Sequence, residues 1–600
     1  MILDKMQFLL GFCFSPPLHS SDEEIEAYYH AAVKPFVTVA YQFSDVPMTL
    51  FFSGPLLSWI ETEHPEYLTA LTEMIKRKQV EILGGGYYSP ILPLIPPTDR
   101  LGQIEELTTL VRKLLGKRPR GLWLTKGVWD PALVVHLTGS GMEYTFLEEG
   151  DFRRVGVAPQ QVGLPRLTEH QGRLMTVFPF HADLAEKVQQ GDFESFLATV
   201  ASRRKRDRQL LSLLLSVDTV ADGEFFTRSA QGLDEFLQLV RSYYPEIEPV
   251  TASSFLKKNQ QALDRSYFSA TTYDELARRT GQPPRPAAGS QIWKQFLAND
   301  EAANQLYNKM TYVHLLVTSL RGDKYKKKSA YDDLWKAQNW FGFLGGPDAK
   351  AVSIHRQKSF AALLNAEALL RDRANFEPSL TSQDIDLDGV NEFLYQGRSY
   401  NLYVDSVGGQ VFEWDFLEKP WNYIDSPGFG TEGPQPQAFV DRFLRGGADA
   451  AAFFRREYRL VELNREHRSF QLMAVDSVEG PQGRQPLRLK KTYRFDQEVI
   501  FVDYELELLT GPPWDGWFAS EVHFSYSSLA SVVGTCFGGD ESSTGYRISD
   551  GTRKTDQHWA WSPQASVTFS GGTLCPKWPV VLNPGETWRT SLSLTLKRED

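Results

Sequence analysis

The stretch GLWLTKGVWDPAL (121–133) has the build of a buried strand that runs into a reactive loop. Apolar Leu122, Trp123 and Leu124 lead to a polar pair, and Trp129 and Pro131 follow. At the tip, where a catalytic carboxylate would be natural, stand Lys126 and Gly127. A lysine amine is useful against carbonyl carbons, through a Schiff base. Other apolar runs also end in groups capable of chemistry: Tyr87 and Tyr88 in GGGYYSP, Glu148 and Glu149 in LEEGDF, and Asp218, Asp222 and Glu224 in DTVADGE. Tyr87, Tyr88, Trp123 and Trp129 have faces on which a flat apolar ligand surface could stack, and they serve equally well as core aromatics.

Metal and cofactor chemistry has thin support. His19, His30, His136 and His181 stand at no ligand spacing, and no glycine-rich loop followed by Lys-Ser/Thr occurs, so no cofactor is expected. Asp384, Asp386 and Asp388, followed by Gly389 and Glu392, match the start of a calcium loop, but no Glu completes it and no flanking helices are evident. An acidic turn accounts for the same residues.

The elements that would hold these groups come in three successive patterns. QFLLGFCF, MTLFFSG, VEILGGG, GLWLTKG, EYTFLEEG, LMTVFPF and LLSLLLSV read as strands buried on both faces. Helix-like stretches such as HPEYLTALTEMIKRKQ and TDRLGQIEELTTLVRKLLG lie between them. Strand–helix repetition of this kind predicts a parallel α/β barrel over 1–262, with its chemistry at the carboxyl ends of the strands. A Pro/Gly/Ala-rich connector at 281–289 lies within a helical domain at 263–378, where apolar residues recur every three or four positions. From 379 to 600 the period becomes two, as in EVIFVDYELELL, which predicts an antiparallel β-sandwich.

Composition excludes several classes. The net charge of −11 is spread along the chain, and the basic runs RRKRDR and KYKKK are short, so no nucleic-acid partner is expected. Three scattered cysteines fit neither a disulfide framework nor a zinc site and suit a reducing compartment. Gln7–Phe14 reads as a first strand, and no run approaches the roughly 18 apolar residues of a membrane helix. The expectation is a cytoplasmic protein with no membrane partner.

From GGGYYSPILPLIPPTDRLGQIEEL onward the order of segments resembles glycoside hydrolase family 57, particularly its 4-α-glucanotransferase and α-amylase-like branch. The resemblance continues through FFSGPLLSWI, GLWLTKGVWDP, EYTFLEEGDF, ADGEFF, IWKQFLANDEAANQLYNKM and LWKAQNWFGFLGG, and reaches DIDLDGVNEFLYQG in the last domain. It implies a (β/α)7 barrel, then a helical bundle, then a β-sandwich. It also implies a retaining reaction on α-glucans, which needs two carboxylates roughly 5–5.5 Å apart.

The resemblance places the family's nucleophilic Glu, within a WLTERVW-like stretch, on Lys126. The acid/base Asp of a DDGEKFG-like stretch falls on Asp222, with Asp218 the weaker alignment. Cys13 and Ser15 occupy the histidine positions of HNHQP, Phe52 that of HFSGP, Ser89 the Glu after GGGYY, and Asp151 the His of DDYHF. CNDAYWHG has shrunk to Asn339-Trp340-Phe341-Gly342. Polar sugar-contacting types are lost from separate segments while glycines, prolines and core residues stay. A glycosidic acetal offers a lysine no carbonyl, and a positive transition state repels an ammonium. The implied protein is a catalytically inactive homologue that binds α-glucan or maltooligosaccharide, or serves a partner enzyme or a homo-oligomer. Two alternatives stand: an active enzyme with a nucleophile relocated to Asp130, Glu148, Glu149 or Glu224, and an interaction protein with a closed pocket.

Overall fold

The structure is a computed structural model that describes residues 5–18, 21–203, 210–259, 263–271, 293–344, 349–371, 376–424, 437–451, 453–480, 482–496, 498–539 and 541–598. The 281–289 connector lies outside the described residues. The chain forms two compact units, Met1–Ala303 with Gln338–Leu344, and Asn304–Ala337 with Gly345–Asp600.

In the first unit the apolar runs become β1 (Met6–Phe14), β2 (Met48–Phe52), β3 (Val80–Ile82), β4 (Gly121–Leu122), β5 (Tyr144–Glu148), β7 (Arg173–Phe180) and β8 (Leu210–Val217), with β6 (Arg166–His170) inserted before β7. β3, β2, β1 and β8 pair in parallel in that order, as do β4, β5 and β7. The two sets join where Trp123 N donates to Gly84 O (2.9 Å), and again where His181 N donates to Ser212 O (3.0 Å). Seven parallel strands thus close a barrel, while β6 runs antiparallel beside β7 and β9 (Ile247–Pro249) pairs with the start of β1. β1 is buried along nearly its whole length, because helices cover the outside and side chains fill the inside. Phe8, Phe12, Leu50, Phe146, Phe178 and Leu213 are all buried by 99% or more.

The second unit combines the helices Glu301–Ser319, Lys324–Ala337 and Ala349–Arg371 with antiparallel strands from Ser379 to Arg598. Val499–Leu508 alternates half-buried and buried positions along its whole length, the period expected of a strand with one face in a core. The long strand Thr555–Ser570 pairs with Thr587–Arg598 along its first part and with Thr573–Leu582 along its last, so it contributes to both layers of the sandwich. Trp414, Trp514, Trp559 and Trp578 fill the space between. Much of the aromatic content read from the sequence is therefore core. Among the described residues no helix is long and apolar enough to cross a membrane.

Candidate functional site at the carboxyl end of the barrel

β4 ends in the tight turn Thr125–Gly127, and the turn sets Lys126 in a left-handed conformation (φ 54°, ψ 21°). A residue with a Cβ pays about 1 kcal/mol there relative to glycine. The conformation sends the side chain to two partners. Nζ donates to Asp218 Oδ2 at 2.7 Å and lies 4.0 Å from the centre of the Trp340 ring. The pair is largely shielded, with side chains 23% and 14% exposed.

Asp222 is the residue that the resemblance aligns with the family's acid/base. Its carboxylate is taken up by its own loop: Oδ2 accepts from the amides of Asp218 (2.9 Å) and Thr219 (2.8 Å) and from the Thr219 hydroxyl (2.9 Å). Asp218 lies one residue beyond β8, so it is the carboxylate that the strand carries to Lys126; Ser216 Oγ donates to the same Oδ2 at 3.1 Å. The Cys13 thiol is buried, and burial, reinforced by Asp218, pushes its pKa well up, which leaves it an inert thiol.

The substituted positions also answer one another. Ser15 and Ser89 share a buried hydroxyl–hydroxyl hydrogen bond of 2.8 Å. Trp340 N donates to Ser89 O (3.3 Å), so the turn after β3 is tied to the residue that lies under Lys126. Phe52 stacks on Phe14 with centroids 5.0 Å apart and planes 9° apart, and both rings are buried. Polar groups satisfy polar groups, and phenyl rings pack on phenyl rings.

The four candidate stacking residues are packing residues in this geometry. Trp129 is fully buried and its backbone pairs with Thr271. Trp123 sits 5.9 Å from Phe180 in the barrel core. Tyr87 covers Gly54 so closely that an added Cβ there would lie 2.4 Å from its ring, and its hydroxyl bonds Ser58 Oγ at 2.8 Å. Tyr88 is buried edge-on against Tyr87.

The other carboxylates are engaged as well. Asp130 Oδ1 accepts from Ala132 N (2.9 Å) ahead of the helix Leu133–Gly139. Asp151 pairs with Arg154 and accepts from Thr271 Oγ1. Glu224 makes an exposed pair with Arg228. Glu149 is buried and receives Arg203 Nη2 at 2.7 Å, His181 Nδ1 at 2.6 Å and Arg153 Nη2 at 3.2 Å. Asp384, Asp386 and Asp388 do converge, with one ligand oxygen from each within 4.8 Å of the others, an all-oxygen set of the kind hard cations take. Glu392 turns back to accept from Ile385 N at 2.8 Å, and burial lifts its pKa to about 7.

One cluster escaped the sequence reading. Lys309 lies fully buried on the helix Glu301–Ser319, with Nζ 2.8 Å from Glu367, 2.6 Å from Glu413 and 2.8 Å from Asp415. Its only trace in the sequence is a lysine between Leu306, Met310 and Val313 on an apolar helix face.

The model of the glycosyl hydrolase family 57 matches residues 21–210. The chain is 28% identical over 453 residues to "Alpha-amylase 1" of Dictyoglomus thermophilum, covering 70% of this chain and 64% of that protein. It is 27% identical over 454 residues to the 4-alpha-glucanotransferase of Thermococcus litoralis, covering 70% of this chain and 66% of that one. These matches therefore span just under two thirds of the relatives' own length. The crystal structure of the Thermococcus litoralis 4-alpha-glucanotransferase superposes on 99% of this chain and 100% of that one, with a TM-score of 0.82 at 20% identity, which establishes the shared fold. Strand order, fold and segment matches agree: residues 21–210 match the model of glycosyl hydrolase family 57, and the chain is similar to 4-alpha-glucanotransferase and alpha-amylase sequences and shares the fold of the former.

Proposed function

We propose that this chain is a catalytically inactive family 57 protein, acting in carbohydrate metabolism through binding or assembly instead of turnover. The Lys126–Asp218 ion pair at the strand ends supports this reading most directly. Retaining hydrolysis or transfer needs one carboxylate to bond the anomeric carbon and a second to give and take the proton. Here the first position is an ammonium that a carboxylate already neutralises. It opposes the positive charge of the transition state and has no carbonyl to attack. The Ser15–Ser89 bond and the Phe14–Phe52 stack support the same reading, since they close positions that would otherwise face a ligand.

Incubation with maltooligosaccharides, followed by analysis of chain lengths, tests this. No redistribution above the buffer control is expected. Turnover that disappears in Asp222→Asn or Asp218→Asn would overturn the reading. An enzyme with a relocated nucleophile gains no support from Glu149, whose oxygens are held by Arg203, Arg153 and His181. Calorimetry with maltoheptaose decides between a glucan-binding scaffold and a closed one. The burial of Trp123, Trp129 and Tyr88, with Lys126 lying on Trp340, leads us to expect no saturable heat from these aromatics.

A further inference from the structure

A second cleft of about 770 Å³ lies just beyond the carboxyl ends of β5 and β7, at Glu149 and His181, against the helices Ala182–Gln190 and Phe193–Arg203. Neither Lys126, Asp218, Asp222 nor Trp340 is among the described residues that line it. Among the described lining residues, Arg153, Lys187 and Arg203 are cations, and Glu149 and Asp183 are carboxylates. Its volume is that of a small organic ligand, well beyond that of a bare ion.

The partners of these groups show which charge is in surplus. Glu149 is consumed within the wall by Arg203, Arg153 and His181. Lys187 is exposed and makes no ion pair within 4.0 Å among the described residues. Arg203 is 9% exposed, and its Nη1 is buried with no hydrogen-bond partner. Leaving a buried donor unpaired costs about 1–3 kcal/mol, so such a group is poised for an acceptor. The His181 ring responds to the same field: burial and the Arg203 guanidinium hold its pKa down at about 4, although Glu149 touches it. The imidazole is therefore neutral at pH 7 and donates from Nδ1 to Glu149.

The hydroxyls on the helix that carries Arg203 supply acceptors. Ser195 Oγ donates to Asp192 Oδ2 (2.6 Å), Thr199 Oγ1 to Ser195 O (2.8 Å) and Ser202 Oγ to Thr199 O (2.9 Å). Each hydroxyl hydrogen is committed, so what remains towards the cleft is lone pairs. An anionic group must then be met by Arg203, Lys187 and Arg153, and the rest of the ligand must bring hydroxyl donors.

From this juxtaposition of cations and hydroxyl acceptors in one cleft, we infer that the region beyond β5 and β7, against the helices Ala182–Gln190 and Phe193–Arg203, carries a binding site for a phosphorylated polyol, of the sugar-phosphate class. The phosphate sits between Arg203, Lys187 and Arg153, and the polyol hydroxyls donate to the serine and threonine oxygens. The inference does not depend on whether the barrel mouth turns over glucan.

Calorimetry on the full chain at low ionic strength, with glucose 6-phosphate as the probe, tests it. Saturable binding is expected, with none for glucose at equal concentration and weaker binding for orthophosphate. Lys187→Gln, at an exposed position, should weaken glucose 6-phosphate about tenfold, equivalent to about 1.4 kcal/mol, while Lys597→Gln in the other unit leaves it unchanged. Arg203→Gln should abolish binding, and circular dichroism reports whether that variant remains folded. Failure to see saturable glucose 6-phosphate binding overturns the inference. So does an affinity unchanged in Lys187→Gln, or glucose or orthophosphate binding as tightly as the ester.

Discussion

Lys126 and Lys309 both meet carboxylates, and the two pairings are opposite in kind. At the barrel mouth Lys126 has one carboxylate partner, a tryptophan face and a residual 23% exposure. In the second unit Lys309 has no exposure and three carboxylates, and Arg371 adds a second cation at 2.5 Å from Glu367. Asn401 ties the cluster together by donating to Glu367 (2.9 Å) and Asp415 (2.8 Å). Two cations cannot neutralise three buried carboxylates, so one carboxyl keeps its proton. Burial and the adjacent Asp415 push the pKa of Glu413 well up, while Lys309 and Arg371 outweigh burial at Glu367 and hold it down. Removing one partner from this cluster would therefore leave a charge uncompensated in the core. The mouth pair is partly exposed, and little of the fold rests on it.

Breaking the buried cluster should have the largest effect. Lys309→Met removes the cation and leaves its carboxylates uncompensated, and a loss of about 3–5 kcal/mol is expected in denaturant unfolding. A loss below about 1 kcal/mol would show the cluster to be hydrated and its charges screened.

The next effect is one of pH. A carboxyl whose folded pKa is raised contributes stability that is fully present below its unfolded value, here 4.5, and that is lost as pH rises towards the folded value. Glu413→Gln keeps the shape and removes the titration. Between pH 5 and pH 7 the variant should gain on the parent by up to about 1.4 kcal/mol per unit, read from unfolding midpoints at each pH. Parallel curves would mean that Glu413 is not the group that holds the proton.

The mouth pair should prove mild. A partly exposed ion pair is worth about 1 kcal/mol or less, so Lys126→Ala should cost no more than that. Lys126→Gly loses the same pair but relieves the left-handed backbone, and should be about 1 kcal/mol more stable than Lys126→Ala. Equal stabilities would show that the turn relaxes without the lysine, and the contrast between the buried and the partly exposed lysine would weaken.

Large parts of the architecture were legible along the chain, for identifiable reasons. A parallel strand covered on both faces has to be an unbroken apolar run, and LLSLLLSV and QFLLGFCF are such runs; a sandwich strand alternates, and VIFVDYELEL does. The resemblance that aligns Lys126 with the family's nucleophile was legible too, because the neighbours in that segment kept their types. What faces Lys126 was not legible. Asp218 and Asp222 sit four residues apart in one acidic loop, and only the folded loop shows Asp222 spent on its own amides. The stacking role open to Trp123, Trp129, Tyr87 and Tyr88 turned on burial, which residue type leaves undetermined.

The sequence by itself determined the order of elements and the resemblance to glycosyl hydrolase family 57, since both are written in local pattern. Closure of the barrel decided the rest. It brings Lys126 to Asp218 across 92 residues and Ser15 to Ser89 across 74, and it sets His181 and Glu149 together on the wall of the second cleft. Contacts of that separation follow from strand order and side-chain direction around a ring, and neither is encoded in the spacing of neighbouring residues.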